Sequence, residues 1–438
     1  MSVLPKGLIS REQMKGVKGV ETIRNTLLPT TNAPFSPSGN NRVIFNVPAI
    51  TNSFLTQRSY FTFNLLTNAT STKFYRGSCV PFRSLKVFSP NGMLLEHITD
   101  FHLYSKMKDV LFKSKCDLEA EYATTKNPLA VAQSAWDGDQ EKFSNGLPVI
   151  MSPHSSLLGQ EQQFYIPVNQ IATSAGFALR IELELLEPEH FVYSTDATAP
   201  SYQITEMTYE MELAQLSNEL MRDLFGNNKT IAIPYKAVRT HHNQLHGQQS
   251  YNVRITDAAQ NLENTYSVIR KTQPLKTSVT TTQEHVSDSD PYTFYGGSDT
   301  WNTDTIGANA EHLKKYVFKY GTKFFPNSPV EMPFDKTKTL QAAITHLGLR
   351  NPFIQTPLYD AARENATNEF EARDFVLVNS FKTTGDPVEN GISTISSSAP
   401  VEIDLEFNTA TDNKELLTFV EQTQTLYIKN DGITQMIK

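Results

Sequence analysis

Residues 177–185 read FALRIELEL, and residues 401–407 read VEIDLEF. In both stretches apolar residues alternate with mostly charged ones, and this period of two is typical of a half-buried antiparallel β-strand. Each stretch is followed by a second strand-like one, at residues 202–213 in the first half and at residues 426–428 in the second. We therefore expect both halves of the chain to close with a pair of antiparallel strands.

The two halves also begin alike. Residues 43–48 (VIFNVP) lead through a polar stretch to residues 60–65 (YFTFNL), and residues 231–234 (IAIP) lead in the same way to residues 251–255 (YNVRI). Alternation by itself occurs in any all-β protein, but here four elements recur in order, at a spacing far longer than the period of a solenoid or propeller. The sequence predicts two consecutive β-sandwich domains, an organisation that favours a structural role over an enzymatic one.

Composition agrees with two soluble β-domains. The chain has 438 residues, enough for two ordinary domains, and its 26 Phe and 17 Tyr suit packed sandwiches. The net charge of −7 argues against a dedicated nucleic-acid binder. Cys79 and Cys116 are too few for a disulfide framework, so we expect reduced thiols and folding in the cytoplasm, and leave open whether they pair. The sequence shows neither a secretory signal in residues 1–10 nor a long apolar run.

A short helix is predicted between the two domains. Three leucines in residues 214–228 have helical spacing, Ser217 suits the N-cap, and Gly226-Asn227-Asn228 suits the end. The predicted divisions are an N-terminal arm (1–40), a first domain (41–215), a linker (216–229) and a second domain (230–438).

The N-terminal arm is basic. Ser10 is a possible N-cap for a short helix, which Gly16 and Gly19 weaken. A frayed terminus is one interpretation, and an arm that orders against a neighbouring subunit, a lipid layer or packaged genome is the other. The residues that would carry the second interpretation are Lys6, Arg11, Lys15, Lys18 and Arg24.

A helix is predicted after the turn signal of residues 89–92. Residues 94–111 have apolar positions every three or four residues, as in an amphipathic helix over one end or side of a sheet. His97, Asp100 and His102 raise the question of a metal or acid/base site. A spacing of five does not place both imidazoles on one helical face, so a structural role is favoured.

Two long polar insertions interrupt the domains. Residues 115–160 include Asp137 and Asp139, which resemble a fragment of a calcium loop without its remaining ligands. Residues 272–312 carry aromatic residues that argue against plain disorder: Tyr292, Phe294, Tyr295 and Trp301. We expect both insertions to rise together on one side as a tower, a surface suited to contacts with other subunits or with a host.

Motifs for catalysis are missing from the sequence, including GxSxG, HExxH, the Walker loop and the dinucleotide-binding glycine pattern. The densest histidine cluster, His241, His242 and His246, is expected in a loop beside Arg239. A cupin-like zinc or nickel site would spread its ligands over several strands, so a solvated polar loop is favoured.

Two carboxylate pairs have strand spacing, Glu182 with Glu184 and Asp404 with Glu406. They fit the wet face of a sandwich better than the acid pair of a glycosidase. We therefore assign no catalytic, cofactor-binding or metal-binding residue.

Several segments carry a resemblance to a known family: residues 44–48, 54–55, 60–63, 92–96, 320–329, 401–407 and 426–428. In this order they resemble the double jelly-roll major capsid proteins of tailless double-stranded DNA viruses. That lineage includes Polinton-like viruses, virophages, large algal viruses and adenovirus hexons. The resemblance covers residue 40 to the end of the chain, and it rests on the order and spacing of motifs that are individually weak.

The resemblance implies an all-β fold of two consecutive eight-stranded antiparallel jelly rolls (β-sandwiches) with long loop insertions and a few short helices. It further implies a homotrimer that forms a pseudo-hexagonal capsomer of an icosahedral shell around a dsDNA genome. The insertions would form outer towers able to meet a host receptor, and the arm would lie inside, near genome or an internal membrane. Removal of residues 1–30 would then spare the trimer but impair shell assembly.

Other expected partners are minor capsid, cement and penton proteins, and the family brings no cofactor. The expected location is the virion, after synthesis and assembly inside the host cell.

Two other functions stay open from the residues alone. A jelly-roll carbohydrate- or receptor-binding protein, lectin-like or a viral spike, would stack sugars on aromatic residues of the second insertion. It would form monomers or small oligomers that retain glycans. A cupin-like metalloenzyme would use the three clustered histidines and retain metal after purification. The binding protein is the stronger alternative, because the enzyme needs a site that the sequence does not show.

Overall fold

The computed structural model describes residues 20–75, 80–113, 115–130, 146–168, 177–195, 198–225, 230–272, 294, 313–331, 376–381, 391–395, 400–411, 413–429 and 432–437. The described residues of the first half form these strands: β1 (Val20–Leu27), β2 (Arg42–Pro48), β3 (Ser53–Leu55), β4 (Tyr60–Thr67), β5 (Thr72–Phe74), β6 (Phe82–Phe88), β7 (Leu94–Thr99), β8 (Leu147–Met151), β9 (Ile166–Pro167), β10 (Phe177–Leu185), β11 (Val192–Ser194) and β12 (Tyr202–Leu216). Its helices are α1 (Phe101–Phe112) and α2 (Lys115–Thr125), with short 3-10 turns at Pro128–Ala130 and Pro188–His190.

A third helix, α3 (Asn218–Phe225), leads into the second half. Its strands are β13 (Ile231–Leu245), β14 (Ser250–Ile255), β15 (Leu262–Lys271), β16 (Leu313–Tyr320), β17 (Lys323–Glu331), β18 (Leu377–Ser380), β19 (Val401–Phe407), β20 (Lys414–Lys429) and β21 (Gly432–Ile437). The predicted linker helix is thus present, and the Leu220 N–H lies 3.4 Å from Ser217 Oγ at its start.

Each half folds as an antiparallel jelly roll. If the eight main strands of each roll are lettered B to I in chain order, one sheet has the order B-I-D-G and the other C-H-E-F. In the first roll these sheets are β1-β12-β4-β8 and β2-β10-β6-β7; in the second they are β13-β20-β15-β18 and β14-β19-β16-β17. The short strands β3 and β9 extend the first B-I-D-G sheet beside β12, and β5 pairs with β11. The predicted all-β double jelly roll is confirmed.

The two halves of the chain correspond to each other as predicted at their ends, but at their beginnings the matched segments are offset by one strand. The closing pairs match as expected, since β10 and β19 are both strand H and β12 and β20 are both strand I. At the opening, however, residues 43–48 lie in strand C, whereas residues 231–234 lie in strand B. The first roll's strand B is β1, which falls inside the range predicted as an arm and pairs along its whole length with β12. Its sequence, VETIRNTL, lacks the strong alternation that marks the other strands.

The predicted helix over residues 94–111 starts later than expected. Residues 94–99 form β7, which pairs with β6 from Ser84 opposite Thr99 to Phe88 opposite Leu94. Asp100 then adopts a left-handed conformation (φ 50°) at the N-cap, where the chain turns from the strand into α1. The apolar residues of α1 lie on one half of the helix, as predicted, but the polar half is covered as well, because each residue except Phe112 is buried.

The apolar core of the described residues consists of two clusters, and one of them contains residues of both rolls. Alternate residues of β10 and β19 are buried, as the sequence predicts for strand H. The interior of the second roll is a separate cluster that includes Ile269 and Leu416. The opposite face of the same B-I-D-G sheet, with Tyr266 and Phe419, belongs to the cluster of the first roll. This sheet is therefore buried on both faces. No helix among the described residues is long and apolar enough to cross a membrane.

Candidate functional site

The contact between the two rolls, called the junction below, is built around α1. This helix belongs to the segment that follows strand F of the first roll, and it lies against the B-I-D-G sheet of the second. The Tyr104 ring centroid is 5.3 Å from that of Phe419 on β20, and the Phe112 centroid is 6.4 Å from that of Tyr266 on β15. Because apolar and aromatic side chains from both rolls interlock here, the two rolls form one packed body.

Glu421 of β20 is the centre of a buried charge network in the junction. Its side chain is fully buried, and Lys108 Nζ of α1 lies 2.5 Å from its Oε1. The Tyr104 and Tyr266 hydroxyls each donate to the carboxylate at 3.0 Å, and Asn264 Nδ2 donates at 2.9 Å. Burial acts to raise the pKa of Glu421, but the charge of Lys108 and these donors outweigh it and hold the pKa well below its usual range.

The network continues through the first roll with alternating charge. Lys108 Nζ also lies 3.2 Å from Glu161 Oε1. His154 stands between two carboxylates, with Nδ1 3.4 Å from Glu161 and Nε2 3.0 Å from Asp109. Lys113 Nζ is 3.2 Å from the same oxygen of Asp109. Burial lowers the pKa of His154, but its hydrogen bonds to both carboxylates outweigh burial, so the net shift is upward.

Glu96 of β7 is a further buried carboxylate at the junction. Its oxygens accept hydrogen bonds from Ser155 Oγ (2.5 Å) and from the Ser156 backbone N–H (3.0 Å). No cation is paired with it among the described residues, and burial raises its pKa to about 7 despite these bonds. The carboxyl of Glu96 therefore changes its charge near neutral pH.

A third set of contacts ties strand F of the first roll to strand B of the second. Tyr235 Oη of β13 donates to the Leu95 carbonyl at 2.6 Å. His242 Nε2 lies 2.9 Å from Asp100 Oδ2, and its Nδ1 lies 3.8 Å from Glu415 Oε2. The hydrogen bonds to Asp100 and Glu415 raise the pKa of His242 to about 9, so the imidazole is charged at neutral pH. Both ends of the junction are thus held by ion pairs.

For His241, His242 and His246 the sequence predicts a solvated polar loop in preference to a metal site. The expected loop is wrong, because β13 continues to Leu245 and alternation turns His241 and His242 to opposite faces. His241 Nε2 is 3.7 Å from Asp257, while His242 joins the junction. Within the described part of the chain, no group of three or more His, Cys, Asp or Glu side chains is arranged to hold a metal ion.

His97 and His102 fall in different elements. His97 lies in β7, and His102 lies at the start of α1, where burial lowers its pKa to about 3. The prediction that they do not share a helical face is confirmed, because the chain turns from a strand into a helix between them. Asp100, between them, pairs with a histidine that the sequence did not associate with it.

The two carboxylate pairs lie on outer sheet faces, as predicted. Glu182 and Glu184 on β10 are partly exposed, and Arg180 forms an ion pair with Glu182. Asp404 and Glu406 on β19 form ion pairs with lysines of β16. These ion pairs are partly solvated, so each of them contributes little to the stability of the fold.

Several predicted features lie outside the described residues. Those of the arm and first insertion are Lys6, Ser10, Arg11, Lys15, Lys18, Asp137 and Asp139; those of the second insertion are Tyr292, Tyr295 and Trp301. Cys79 is also among them, so its pairing is untested, while Cys116 is exposed with a free thiol. Phe294 is described and fully buried, with Lys106 Nζ 4.5 Å from its ring centroid.

Arg24, predicted as part of the basic arm, lies in β1 and forms an ion pair with Glu212 at 3.2 Å. This corrects its assignment: it is a strand residue of the first roll.

A pocket beside the network is too small for an organic substrate. It is lined by residues of α1 and β8 together with His154 and Asn127, and its free space of about 40 Å³ suits a few water molecules.

Comparison with known proteins supports the fold. No protein-family model matches the chain, and no curated protein matches it in sequence. The structure is similar to the Faustovirus major capsid protein, with 9% identity, TM-score 0.60, and coverage of 94% of this chain and 91% of that chain. It is similar to a chain of the PBCV-1 virus capsid (10% identity, TM-score 0.57, 95% and 97% covered) and to one of the Sputnik virophage (10% identity, TM-score 0.56, 96% and 89% covered). These likenesses confirm the resemblance inferred from the sequence at the level of the fold.

Proposed function

We propose that the chain is a viral major capsid protein that forms homotrimeric, pseudo-hexagonal capsomers of an icosahedral shell around a dsDNA genome. The observation that carries this proposal is the pair of jelly rolls with the same strand order, which is shared over more than nine-tenths of the chain with the Faustovirus major capsid protein and the PBCV-1 capsid chain. Three such chains supply six similar rolls, the number that a pseudo-hexagonal tile needs.

The junction supports this proposal in physical terms. A shell tile carries load between neighbours, so its two rolls must keep a fixed relative position. Apolar packing through α1, together with the network around Glu421, resists sliding of one roll over the other, because any displacement would leave buried charges without partners. A binding protein whose two domains move relative to each other would not need such a packed contact between them.

Further partners belong to the same proposal. The chain would act in the virion after assembly in the host cell, with minor capsid, cement and penton proteins between tiles. The basic segment ahead of β1 would meet the genome or an internal membrane, and the insertions would face a host receptor. We propose no catalytic activity. The alternative of a carbohydrate- or receptor-binding protein rests on the aromatic residues of the second insertion.

Light scattering on the purified protein tests the proposal. We expect a species of three times 49.2 kDa that forms sheets or shells when salt or a crowding agent is added. A stable monomer that binds glycans would overturn the capsid proposal in favour of the binding protein.

A further inference from the structure

A buried loop of the first roll lies between the two elements that this roll presents to the second. It comprises residues 153–161, between β8 and β9, and we call it the bridging loop. Residues 153–159 are all buried, and the Gln160 N–H donates to the Pro153 carbonyl at 3.0 Å. A Cβ on Gly159 would lie 2.1 Å from the same carbonyl oxygen, so this compact turn requires glycine.

The bridging loop contacts β7 on one side and α1 on the other. Ser155 and Ser156 donate to the carboxyl of Glu96 on β7, and His154 meets Asp109 on α1 at 3.0 Å. The first roll contacts the second through these same elements, by the hydrogen bonds of β7 with β13 and the aromatic contacts of α1 with β15 and β20. Loss of contact between the loop and either element therefore acts directly on the junction.

The position of His154 suits an imidazole that is protonated on both nitrogens. Nε2 lies 3.0 Å from Asp109, Nδ1 lies 3.4 Å from Glu161, and a neutral imidazole has only one N–H. In the neutral ring a nitrogen lone pair would face a carboxylate oxygen. Lys113 contacts the same oxygen of Asp109, and Lys108 contacts the same oxygen of Glu161.

The surroundings of Glu96 suit a neutral carboxyl instead. This residue is 2% exposed, and no cation pairs with it among the described residues. Burial, and to a lesser degree the negative charge of Glu161, raise its pKa to about 7 against the hydrogen bonds from Ser155 and Ser156. From the second roll, Tyr235 of β13 lies within the field of the same carboxyl.

The buried charges balance only when both groups carry their protons. The ionised groups of the network are then three carboxylates and three cations, each side chain at most 17% exposed: Asp109, Glu161, Glu421, Lys108, Lys113 and protonated His154. Glu121, which also contacts Lys113, is 44% exposed and is screened by water. Loss of the Glu96 proton adds one uncompensated negative charge to this buried region, and loss of the His154 proton leaves a second.

The pocket beside the network gives protons a route to the bridging loop. His154 and Asp109 line it, and so does Gln160, which is exposed at the surface. Ser105 Oγ, which also lines the pocket, is buried and has no hydrogen-bond partner among the described residues. Water in this space satisfies the hydroxyl and exchanges protons with the imidazole.

We propose that the bridging loop is a proton-dependent lock of the junction, which holds β7 and α1 against the second roll while Glu96 and His154 are protonated and releases them as pH rises above neutral. This control belongs to the single chain and does not depend on the proposed function.

Linkage gives the direction of the effect. The pKa values of Glu96 and His154 are both raised in the folded chain, so their stabilisation is complete in weak acid and is lost as pH rises through the folded pKa values. Burial also acts to raise the pKa values of Asp109 and Glu161, but the charges of Lys113 and Lys108 outweigh it and lower both. These two carboxylates therefore stay ionised in weak acid, and the junction loosens only on the alkaline side.

Hydrogen exchange of the full-length protein at pH 5.5 and pH 8.5, corrected for intrinsic exchange rates and followed by mass spectrometry, tests the proposal. An opening that returns Glu96 to water becomes about thirtyfold more frequent over this range, because its pKa falls from about 7 to 4.5 on opening. We expect the protection of α1 and β20 to fall by at least about tenfold, while that of β2 and β10, on the far side of their sheet from β7, changes less than about twofold.

Three variants assign the effect to its protons. Glu96→Gln offers the groups of the protonated acid, an oxygen for the Ser156 N–H and an N–H for Ser155 Oγ, and should protect α1 at pH 8.5 at least about tenfold better than the unaltered protein. His154→Gln lacks the charge and should lower the protection of α1 about tenfold already at pH 5.5. Glu402→Gln removes a partly exposed carboxylate on the outer face of β19 and should follow the unaltered protein.

Each alternative result is decisive. Protection of α1 that is equal at the two pH values, or that falls by the same factor as that of β2, refutes the lock. If Glu96→Gln loses protection like Glu402→Gln, Glu96 does not control the junction, and if His154→Gln is as protected as the unaltered protein at pH 5.5, the imidazolium has no part in it. Circular dichroism at pH 5.5 shows which variants fold, and if His154→Gln does not, the unaltered protein and Glu96→Gln decide.

Discussion

Replacement of Lys108 by methionine tests whether the charge network holds the two rolls together. Methionine keeps most of the length of the lysine side chain but removes the charge, which lies 4.8–5.3 Å from the ring centroids of Tyr104, Phe112 and Tyr266. The carboxylate of Glu421, which is fully buried, would then lack its cation. Removal of one partner from a buried ion pair costs about 3–5 kcal/mol, because the other charge stays desolvated.

The expected loss in free energy of unfolding can be measured as a fall in melting temperature. For a chain of 438 residues that unfolds as one unit, an unfolding entropy of about 2.1 cal/mol/K per residue converts 4 kcal/mol into a fall in melting temperature of about 4 °C. Calorimetry would measure this fall, and urea unfolding would give the free energy. The double variant Lys108→Met with Glu421→Gln removes both charges of this pair and leaves Glu161 with His154 as its partner, so we expect a coupling energy of about 3 kcal/mol in the double-mutant cycle.

A matched control separates the buried pair from an exposed one. Lys319→Met removes the cation that pairs with Asp404, where both side chains are roughly a quarter exposed (27% and 30%). That change should cost at most about 1 kcal/mol. The reasoning is refuted if Lys108→Met is no more destabilising than Lys319→Met, or if the double variant loses the sum of the two single losses.

Two further predictions concern pH and the N-terminus. The pKa of Glu96 is raised to about 7 in the folded chain from 4.5, so its stabilising effect is complete below pH 4.5 and is lost as pH rises through 7. By linkage, the free energy of unfolding of the unaltered protein should fall by on the order of 3 kcal/mol between pH 4.5 and pH 8 because of this group. Glu96→Gln should remove that part of the pH profile in urea unfolding. An unchanged profile would contradict this assignment. Deletion of residues 1–19 should spare the trimer in light scattering but impair shells seen by electron microscopy, and normal shells would show that the segment is dispensable. Deletion of residues 1–27, which also removes β1, should in addition lower the melting temperature, because β12 loses its partner strand.

The fold was predictable where the alternating pattern is strong. Strand H of both rolls shows apolar residues at every second position, and both strands were located correctly from the sequence. The sequence pattern does not reveal strand β1, because a strand exposed on much of its surface needs few apolar residues. The sequence predicts a helix from residue 94 where the structure has a strand, since a short apolar run fits either period until the partner strand is known.

The junction was not predictable from the sequence as a site. Lys108 and Glu421 are far apart in the chain, and each looks like an ordinary charge on a helix or strand. One local signal exists: Lys108 lies four residues from both Tyr104 and Phe112, on the apolar face of the helix, where a buried charge needs a partner. Which residues would pair with them depends on how the second roll docks, and no pattern within the helix contains that information.

The separation between Lys108 and Glu421 has a consequence for synthesis of the chain on the ribosome. The two residues are 313 positions apart. At translation rates of about 5–20 residues per second, α1 would wait roughly 15 to 60 seconds for the strand that covers it. During that interval a nascent first roll displays the uncovered apolar face of α1, and Lys108 has only Glu161 as its partner. We therefore expect the half-made chain to be the form most prone to aggregate and most dependent on chaperones.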